Sequence, residues 1–227
     1  MSRNMRDDIK VNGLILRRTN YGEADRILSL ITTQGKLAAI AKGVRKERAK
    51  MAGSIELFTL ITFTIHNGKS QMGVVTGAKM LRHYGNIVKD LKKMELAANI
   101  LKKISLAAEG SDSGEFFRIA NESLAGMDDG VKEVVVESWF ILNLMKATGE
   151  EVNIFRDVNG EKLEGGQKYD WDIMEKAFRA DGGGEYGENE IKLMRLMVTN
   201  SLAMVNRVKG VEVVSEKILR LLESVVK

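Results

Sequence analysis

The chain has 227 residues, 44% of them hydrophobic and 29% charged, with a formal net charge of +4. This is the composition of a folded globular protein and excludes intrinsic disorder. The longest apolar run is five residues, Leu37 to Ala41, whereas a membrane-spanning helix needs about 20, so no membrane partner is expected. Cysteine is absent, which excludes disulfides, thiol nucleophiles and cysteine-bound zinc.

The charge is unevenly distributed along the chain. Residues 1–90 contain 16 Lys and Arg against 7 Asp and Glu, a balance of +9, while the remaining 137 residues contain 19 against 24, a balance of −5. A basic segment joined to an acidic remainder is typical of a chain that binds nucleic acid with one of its parts. A basic surface kept for solubility would give the same moderate excess, so charge alone leaves both interpretations open.

The first 80 residues predict a small β-domain. Residues 61–66 alternate apolar and polar side chains, the period of a half-buried strand. Turn residues separate four further predicted strands, at Val11 to Thr19, Asp25 to Thr32, Lys36 to Lys42 and Gln71 to Thr76. The segment from Arg45 to Ile55 is rich in helix-forming residues and predicts a helical insert. Five strands with a helix after the third are the pattern of an OB-fold barrel, although other small barrels fit it too.

From residue 86 the apolar period changes to that of helices. The first predicted helix has the apolar face Ile87, Leu91, Met94, Ala98 and Leu101. Residues 116–124 predict a shorter helix, and residues 131–145, apolar on every side, predict a buried central helix that ends at Gly149. A glycine-rich stretch over 150–186 predicts a small irregular insertion, and two more helices are expected over 188–207 and 211–225. The predicted fold class is α+β: an OB-fold domain over residues 1–80, then a helical bundle domain over 81–227.

Enzyme chemistry has little support in this sequence. The only histidines are His66 and His83, and the motifs HExxH, GxxxxGK[ST] and GxSxG are absent. Two histidines without cysteine are also a poor zinc site. We therefore expect a non-enzymatic binding protein that needs no cofactor.

The densest positive charge lies between residues 36 and 50. This segment contains six cationic residues and a single acidic residue, Glu47. Lys36 and Lys42 have the even spacing that places two side chains on the same side of a strand. Arg45, Lys46, Arg48 and Lys50 follow in a short segment that we expect to be exposed. A phosphate backbone at this cluster would release counterions, giving salt-dependent binding without sequence preference.

These residues also carry a family resemblance. The resemblance rests on six short segments, which follow one another along the chain: Gly13-Leu14-Ile15-Leu16, Tyr21-Gly22-Glu23-Ala24-Asp25-Arg26-Ile27-Leu28, Gly35-Lys36-Leu37, Ala41-Lys42-Gly43-Val44-Arg45, Ala52-Gly53 and Phe58-Thr59. This series resembles the N-terminal half of the RecO family of bacterial recombination mediators over about residues 10–80. The helical remainder is similar to the family in layout, with a weaker sequence signal.

The resemblance implies a fold and a function. The family joins an N-terminal OB-fold to a helical domain, binds single- and double-stranded DNA and anneals complementary strands. Its members work with RecR, and often RecF, on DNA covered by single-stranded DNA-binding protein (SSB), and help to load the RecA recombinase. A cytoplasmic, nucleoid-associated location follows. A general OB-fold protein that binds single-stranded DNA or RNA without mediator activity is the alternative.

The resemblance also suggests site residues. Where the motif matches, the expected phosphate contacts are Arg26, Lys36, Lys42, Arg45 and Lys46; charge adds Arg48 and Lys50, with Arg17, Arg18 and Lys69 as second-rank candidates. Tyr21, in a loop between strands, could stack a base or pack the end of the barrel. Glu23 and Asp25 are expected to orient Arg26 by an ion pair. Lysines between 89 and 103 are candidate rim residues for the acidic C-terminal tail of SSB.

This sequence departs from the family in one respect that concerns metals. Many members carry a four-cysteine zinc motif in the insertion after the central helix, but residues 150–184 contain no cysteine. We therefore expect side-chain packing to order the insertion, through Ile154, Phe155, Tyr169 and Trp171.

Overall fold

The computed structural model describes residues 8–47, 51–67 and 72–225 of the chain. The strands are β1 (Asp8–Tyr21), β2 (Asp25–Thr32), β3 (Gly35–Ala41), β4 (Thr59–His66), β5 (Gly73–His83), β6 (Asn153–Asp157), β7 (Tyr169–Asp172) and β8 (Ala177–Ala180). The helices are α1 (Leu91–Ala107), α2 (Glu115–Asp128), α3 (Glu133–Thr148), α4 (Glu188–Thr199), α5 (Leu202–Val205) and α6 (Val211–Val225). Two compact units divide between Leu124 and Ala125.

The first five strands form a closed barrel in the order β1-β2-β3-β5-β4. All neighbouring strands are antiparallel except β3 and β5, which pair in parallel through Ala39 with Gly73 and Ile40 with Val74. This strand order, with β1 between β2 and β4 and the barrel closed by β3 and β5, is that of the Greek-key OB-fold and confirms the predicted fold class. Alternate residues of the strands fill the interior, with Leu28, Ile61 and Phe63 fully buried.

The predicted helical insert after β3 is wrong within the described residues. Arg45 to Glu47 form turns, and the only helical piece described there is a 3-10 helix over Ala52–Ser54. The backbone amide of Arg45 donates to the carbonyl of Ala24 at 2.9 Å, which ties this segment to the β1–β2 turn. Such a tertiary bond overrides a weak helical propensity.

The apolar face predicted for the first helix is right at two positions and wrong at three. Ile87 and Leu101 are buried as predicted, whereas Leu91, Met94 and Ala98 are exposed. The buried face of α1 is Ala97, Ile100, Leu101 and Ile104, which has the same helical spacing but is rotated around the helix axis from the predicted face. The helix begins later than predicted because the Asp90 side chain caps it by accepting bonds from the amides of Lys92 and Lys93.

The β2–β3 hairpin packs closely on the α1–α2 loop. A Cβ at Gly35 would lie 2.3 Å from the carbonyl oxygen of Ser111, and one at Gly114 would lie 2.7 Å from that of Thr33. Gly35 also has φ +93°, a conformation that glycine adopts without strain. These close approaches join α1 and the first part of α2 to the barrel as one compact unit.

The second unit is built around α3. Nine residues of α3 are buried, including Trp139 and Asn143. This burial confirms the predicted central helix. Its buried polar groups bond to neighbouring carbonyls: Trp139 Nε1 donates to Asn200 at 3.0 Å and Asn143 Nδ2 to Met197 at 3.0 Å. Gly149 ends the helix in the left-handed conformation, as predicted. Among the described helices, none has the length and apolar character to span a membrane.

The insertion contains a three-stranded sheet, in the order β6-β8-β7, that the sequence pattern did not predict. Phe178 is its fully buried centre and makes edge-on contacts with Tyr169, Trp171 and Tyr186 at 5.2–6.2 Å between ring centroids. Ile154 and Tyr169 are buried as expected, but Phe155 is 57% exposed. Its ring instead lies 5.2 Å from the guanidinium of Arg195.

Arg195 also fastens the insertion to α4. Its Nε donates to the carbonyl of Ile154 at 2.9 Å, and Nη2 to that of Leu163 at 3.5 Å. Backbone contacts of this kind, together with the aromatic core, can order a small sheet without a metal.

Candidate nucleic-acid interface

A group of predicted site residues comes together around the β1–β2 turn. We call it the turn cluster: Tyr21, Arg26, Lys42, Arg45 and Lys46. Arg45 binds the turn twice, through its amide to Ala24 and through Nη1 to the carbonyl of Gly22 at 3.0 Å. The segment after β3, which carries three of the cations, is therefore held against the turn that carries Tyr21.

Local bonds shape the turn cluster without neutralising it. Asp25 accepts a hydrogen bond from the amide of Gly43 at 2.7 Å, and Arg26 Nε donates to Asn20 Oδ1 at 3.3 Å. The contact described for the Arg26 side chain is thus with Asn20, in place of the expected ion pair with Glu23 and Asp25. Lys42, Arg45 and Lys46 are exposed, and Arg26 is half-buried. Tyr21 is 55% exposed, so it stands in solvent rather than packing the end of the barrel.

The turn cluster continues onto the outer face of β1, β2 and β3. Arg17, Thr19 and Tyr21 alternate along β1 and are exposed. Thr19 pairs with Ile27, which pairs with Ile40 on β3, and both isoleucines are only partly buried. This face of an OB-fold is the one that binds oligonucleotides in other proteins. Strand alternation is the sequence signal that could have grouped Arg17 with Tyr21.

Two other predicted contacts are used within the protein. Lys36 Nζ donates to the carbonyl of Ser105 at 2.7 Å and also binds the Glu109 carboxylate, and its side chain is 17% exposed. Arg18 Nη1 donates to the carbonyl of Ile55 at 3.1 Å and to Glu56 at 2.7 Å. These cations fasten α1 and the 51–58 segment to the barrel. Arg48, Lys50 and Lys69 lie outside the described residues.

The arrangement fits a flexible polyanion better than a reacting small molecule. Exposed cations can meet phosphates at low desolvation cost, and an exposed aromatic ring can stack a base of any identity. In residues 8–47, 51–67 and 72–225, no group of three or more His, Asp or Glu side chains could hold a metal ion.

A second surface lies on α1, outside the barrel. Part of the face that the sequence predicted to be buried is exposed, with Leu91 65% and Met94 37% accessible, and Val88 just before the helix is 47% accessible. Lys89, Lys92 and Lys102 are exposed beside it. We call this the α1 stripe; it is an apolar strip with a basic rim.

The comparisons with known proteins cover both parts of the chain. The family model "Recombination protein O N terminal" matches residues 5–84, and "Recombination protein O C terminal" matches residues 89–227. The DNA repair protein RecO of Dehalococcoides mccartyi strain 195 is 26% identical over 226 residues, covering 92% of this chain and 86% of the relative. The DNA repair protein RecO of Desulfitobacterium hafniense is 29% identical over 175 residues, covering 76% of this chain and 61% of the relative. The chain belongs to the recombination protein O (RecO) family of DNA repair proteins.

Proposed function

We propose that this chain is a non-enzymatic recombination mediator of the cytoplasm. It binds single- and double-stranded DNA, anneals complementary strands and helps to load RecA on SSB-coated DNA, together with RecR and often RecF. The observation that carries the DNA-binding part is the turn cluster, where exposed Lys42, Arg45 and Lys46 flank an exposed tyrosine on the OB-fold face. The family membership supports the mediator part.

The chemistry of the turn cluster fits annealing. Contacts to phosphate position a strand but read no base identity. A strand held in this way keeps its base edges free to pair with a complementary strand. The cations also offset the repulsion between two phosphate backbones as they approach. Stacking on Tyr21 would add about 1–3 kcal/mol per base, again without sequence preference.

A salt titration tests the DNA site. Replacing Lys42, Arg45 and Lys46 with Ala should lower the slope of log affinity against log salt by about 2.1 on single strands, from about 0.7 per phosphate contact. The loss should be equal for unrelated sequences. The matched control replaces the exposed Lys162, Lys168 and Lys176 of the second unit, which changes the charge equally. An unchanged slope in the first variant would remove the turn cluster from the DNA site.

The α1 stripe is the proposed dock for the acidic, apolar tail of SSB. The tail would place apolar side chains on Leu91 and Met94 and its carboxylates near the lysine rim. A double Leu91→Ser, Met94→Ser variant should weaken tail-peptide binding at least about tenfold, while the control Leu106→Ser, at a site 72% exposed on the same helix, should not.

A groove in the second unit offers a competing location for the tail. It encloses about 380 Å³ and is lined by residues that include Leu196, Val208 and Lys209. If Leu196→Ser abolishes peptide binding and the α1 variant does not, the tail binds in this groove and the placement on α1 is refuted.

Annealing separates the proposal from its alternative. A general OB-fold protein for single-stranded DNA or RNA would protect strands without bringing complements together. The decisive assay mixes complementary strands coated with the cognate SSB and measures duplex formation. A mediator accelerates duplex formation, and loss of Lys42, Arg45 and Lys46 abolishes the acceleration. No acceleration by the intact protein would favour the passive binder.

A further inference from the structure

An anion, Asp25, lies among the residues of the turn cluster. It is the first residue of β2, and the hairpin register pairs it with Tyr21, the last residue of β1. It is half-buried, whereas the cations Lys42, Arg45 and Lys46 are exposed. A carboxylate about 10 Å from a phosphate in water weakens binding about twofold. On charge alone, this residue should therefore oppose the DNA binding proposed for the site.

The hydrogen bond that Asp25 accepts extends the β2–β3 pairing beyond its last strand pair. The ladder ends with the pair of Arg26 and Ala41, so the amide of Gly43 lies past the end of the ladder. Asp25 Oδ1 accepts from this amide at 2.7 Å, a length typical of a charge-assisted bond. A side chain thus continues the hydrogen bonding that the strands no longer provide.

Beyond this bond the chain returns to the β1–β2 turn. Gly43 has φ +68°, a conformation that glycine adopts without strain, and Arg45 donates to the carbonyls of Ala24 and Gly22 at 2.9 and 3.0 Å. Of the bonds described between the turn and this segment, only the one to Asp25 has a side chain as its acceptor. A substitution can therefore remove that bond and leave the others in place.

Val44 limits what the loss of this bond can do. Its side chain is 4% exposed and belongs to the barrel core, so the segment stays attached to the barrel when the Gly43 amide is released. The segment would then sample more conformations, and DNA would have to order its cations on binding, at a cost to affinity. The bond to Asp25 therefore acts on the order of the segment more than on the stability of the barrel.

We propose that Asp25 is a positioning residue of the DNA site. Its carboxylate fixes the segment that carries Lys42, Arg45 and Lys46, so that these cations meet phosphates without first having to be ordered. The inference rests on the proposed function, because it takes the turn cluster as the DNA site. It predicts that removing this anion from a cationic site weakens DNA binding, which is the opposite of what charge repulsion predicts.

Three variants of the full-length chain separate ordering from charge. Asp25→Ala removes both the charge and the acceptor, and should weaken binding of an oligothymidylate about three- to tenfold. Asp25→Asn removes the charge but keeps an acceptor oxygen, so it should bind as tightly as the wild-type protein or up to about twofold more tightly. The control Glu23→Ala removes the same charge from an exposed position of the same turn and should not weaken binding.

The salt dependence distinguishes positioning from a lost phosphate contact. All the cations remain in Asp25→Ala, so log affinity should fall by the same amount at every salt concentration, and the slope against log salt should keep its wild-type value. Replacing Lys42, Arg45 and Lys46 lowers the slope instead. Affinity of Asp25→Ala at or above the wild-type value, a lowered slope, or equal losses in Asp25→Ala and Asp25→Asn would each overturn the proposal.

Amide hydrogen exchange without DNA separates this proposal from the DNA assignment. The Gly43 amide should exchange faster in Asp25→Ala than in the wild-type protein, and should stay close to the wild-type rate in Asp25→Asn. If exchange in Asp25→Ala does not change, the bond does not order the segment and the proposal fails while the DNA site stands. If exchange rises but the variant lacking Lys42, Arg45 and Lys46 keeps its full salt slope, the DNA site is wrong, and the role of Asp25 in DNA binding falls with it.

Discussion

Lys36 and Lys42 provide the sharpest test of which barrel cations stabilise the fold and which bind DNA. Both belong to the series of segments that resembles the family, Lys36 within β3 and Lys42 one residue after it. In the structure Lys36 is engaged by the Ser105 carbonyl and the Glu109 carboxylate, while Lys42 is exposed beyond the end of the strand. Replacing each with Met keeps most of the apolar stem and removes the ammonium group. We expect the two variants to lose different properties.

The magnitudes follow from the contacts. Lys36→Met removes a hydrogen bond between a charged donor and the part-buried Ser105 carbonyl, which costs about 1.5–3 kcal/mol. The pair with Glu109 adds at most about 1 kcal/mol, because that carboxylate is 79% exposed. Lys42→Met should change the free energy of unfolding by no more than about 0.5 kcal/mol but lower the salt slope by about 0.7. Lys36→Met should leave the slope unchanged.

The assay has to report on the first unit. The only tryptophans, Trp139 and Trp171, lie in the second unit, so their fluorescence would miss unfolding of the barrel. Urea unfolding followed by far-ultraviolet circular dichroism, with amide hydrogen exchange of β3 and α1, measures the relevant stability. If Lys36→Met keeps full stability and lowers the salt slope by about 0.7, Lys36 binds DNA and the structural role argued for it is wrong.

Three further predictions concern stability. Phe63→Ala should destabilise the barrel by about 3–5 kcal/mol, because Phe63 is fully buried; a urea midpoint that does not move would contradict this. Arg195→Ala should speed hydrogen exchange in β6 with little effect on α3, since it removes the bonds to the carbonyls of Ile154 and Leu163. The Asp172 pKa is lowered from 3.8 by Arg179, so its stabilisation of the β7–β8 turn is present above that value and is lost as pH falls below it. Faster exchange of the Met174 amide under acid, after correction for intrinsic rates, checks this, and Asp172→Asn should show no such dependence.

The barrel was predictable because its information is local. Alternating strands and turn residues locate all five strands. The strand β2 has the predicted bounds of Asp25 and Thr32, whereas β5 was predicted to end at Thr76 and continues to His83. The family motifs then located the cations of the turn cluster. The insertion was harder to predict, because its strands are four or five residues long and depend on a shared aromatic core. Phe178, the centre of that core, has no local pattern that marks it.

Composition and motifs are enough to identify this protein as an α+β member of the RecO family, with a basic barrel and no cysteine-bound metal. Which residues of α1 are buried, and which cations are available to a ligand, depends on contacts made in the folded protein. These contacts join residues that are far apart along the chain: Lys36 meets Ser105, 69 residues away, and Arg18 meets Glu56, 38 residues away. Local periodicity carries no information about such contacts, whereas the fold brings the groups together, and burial and hydrogen bonding then set what each side chain can do.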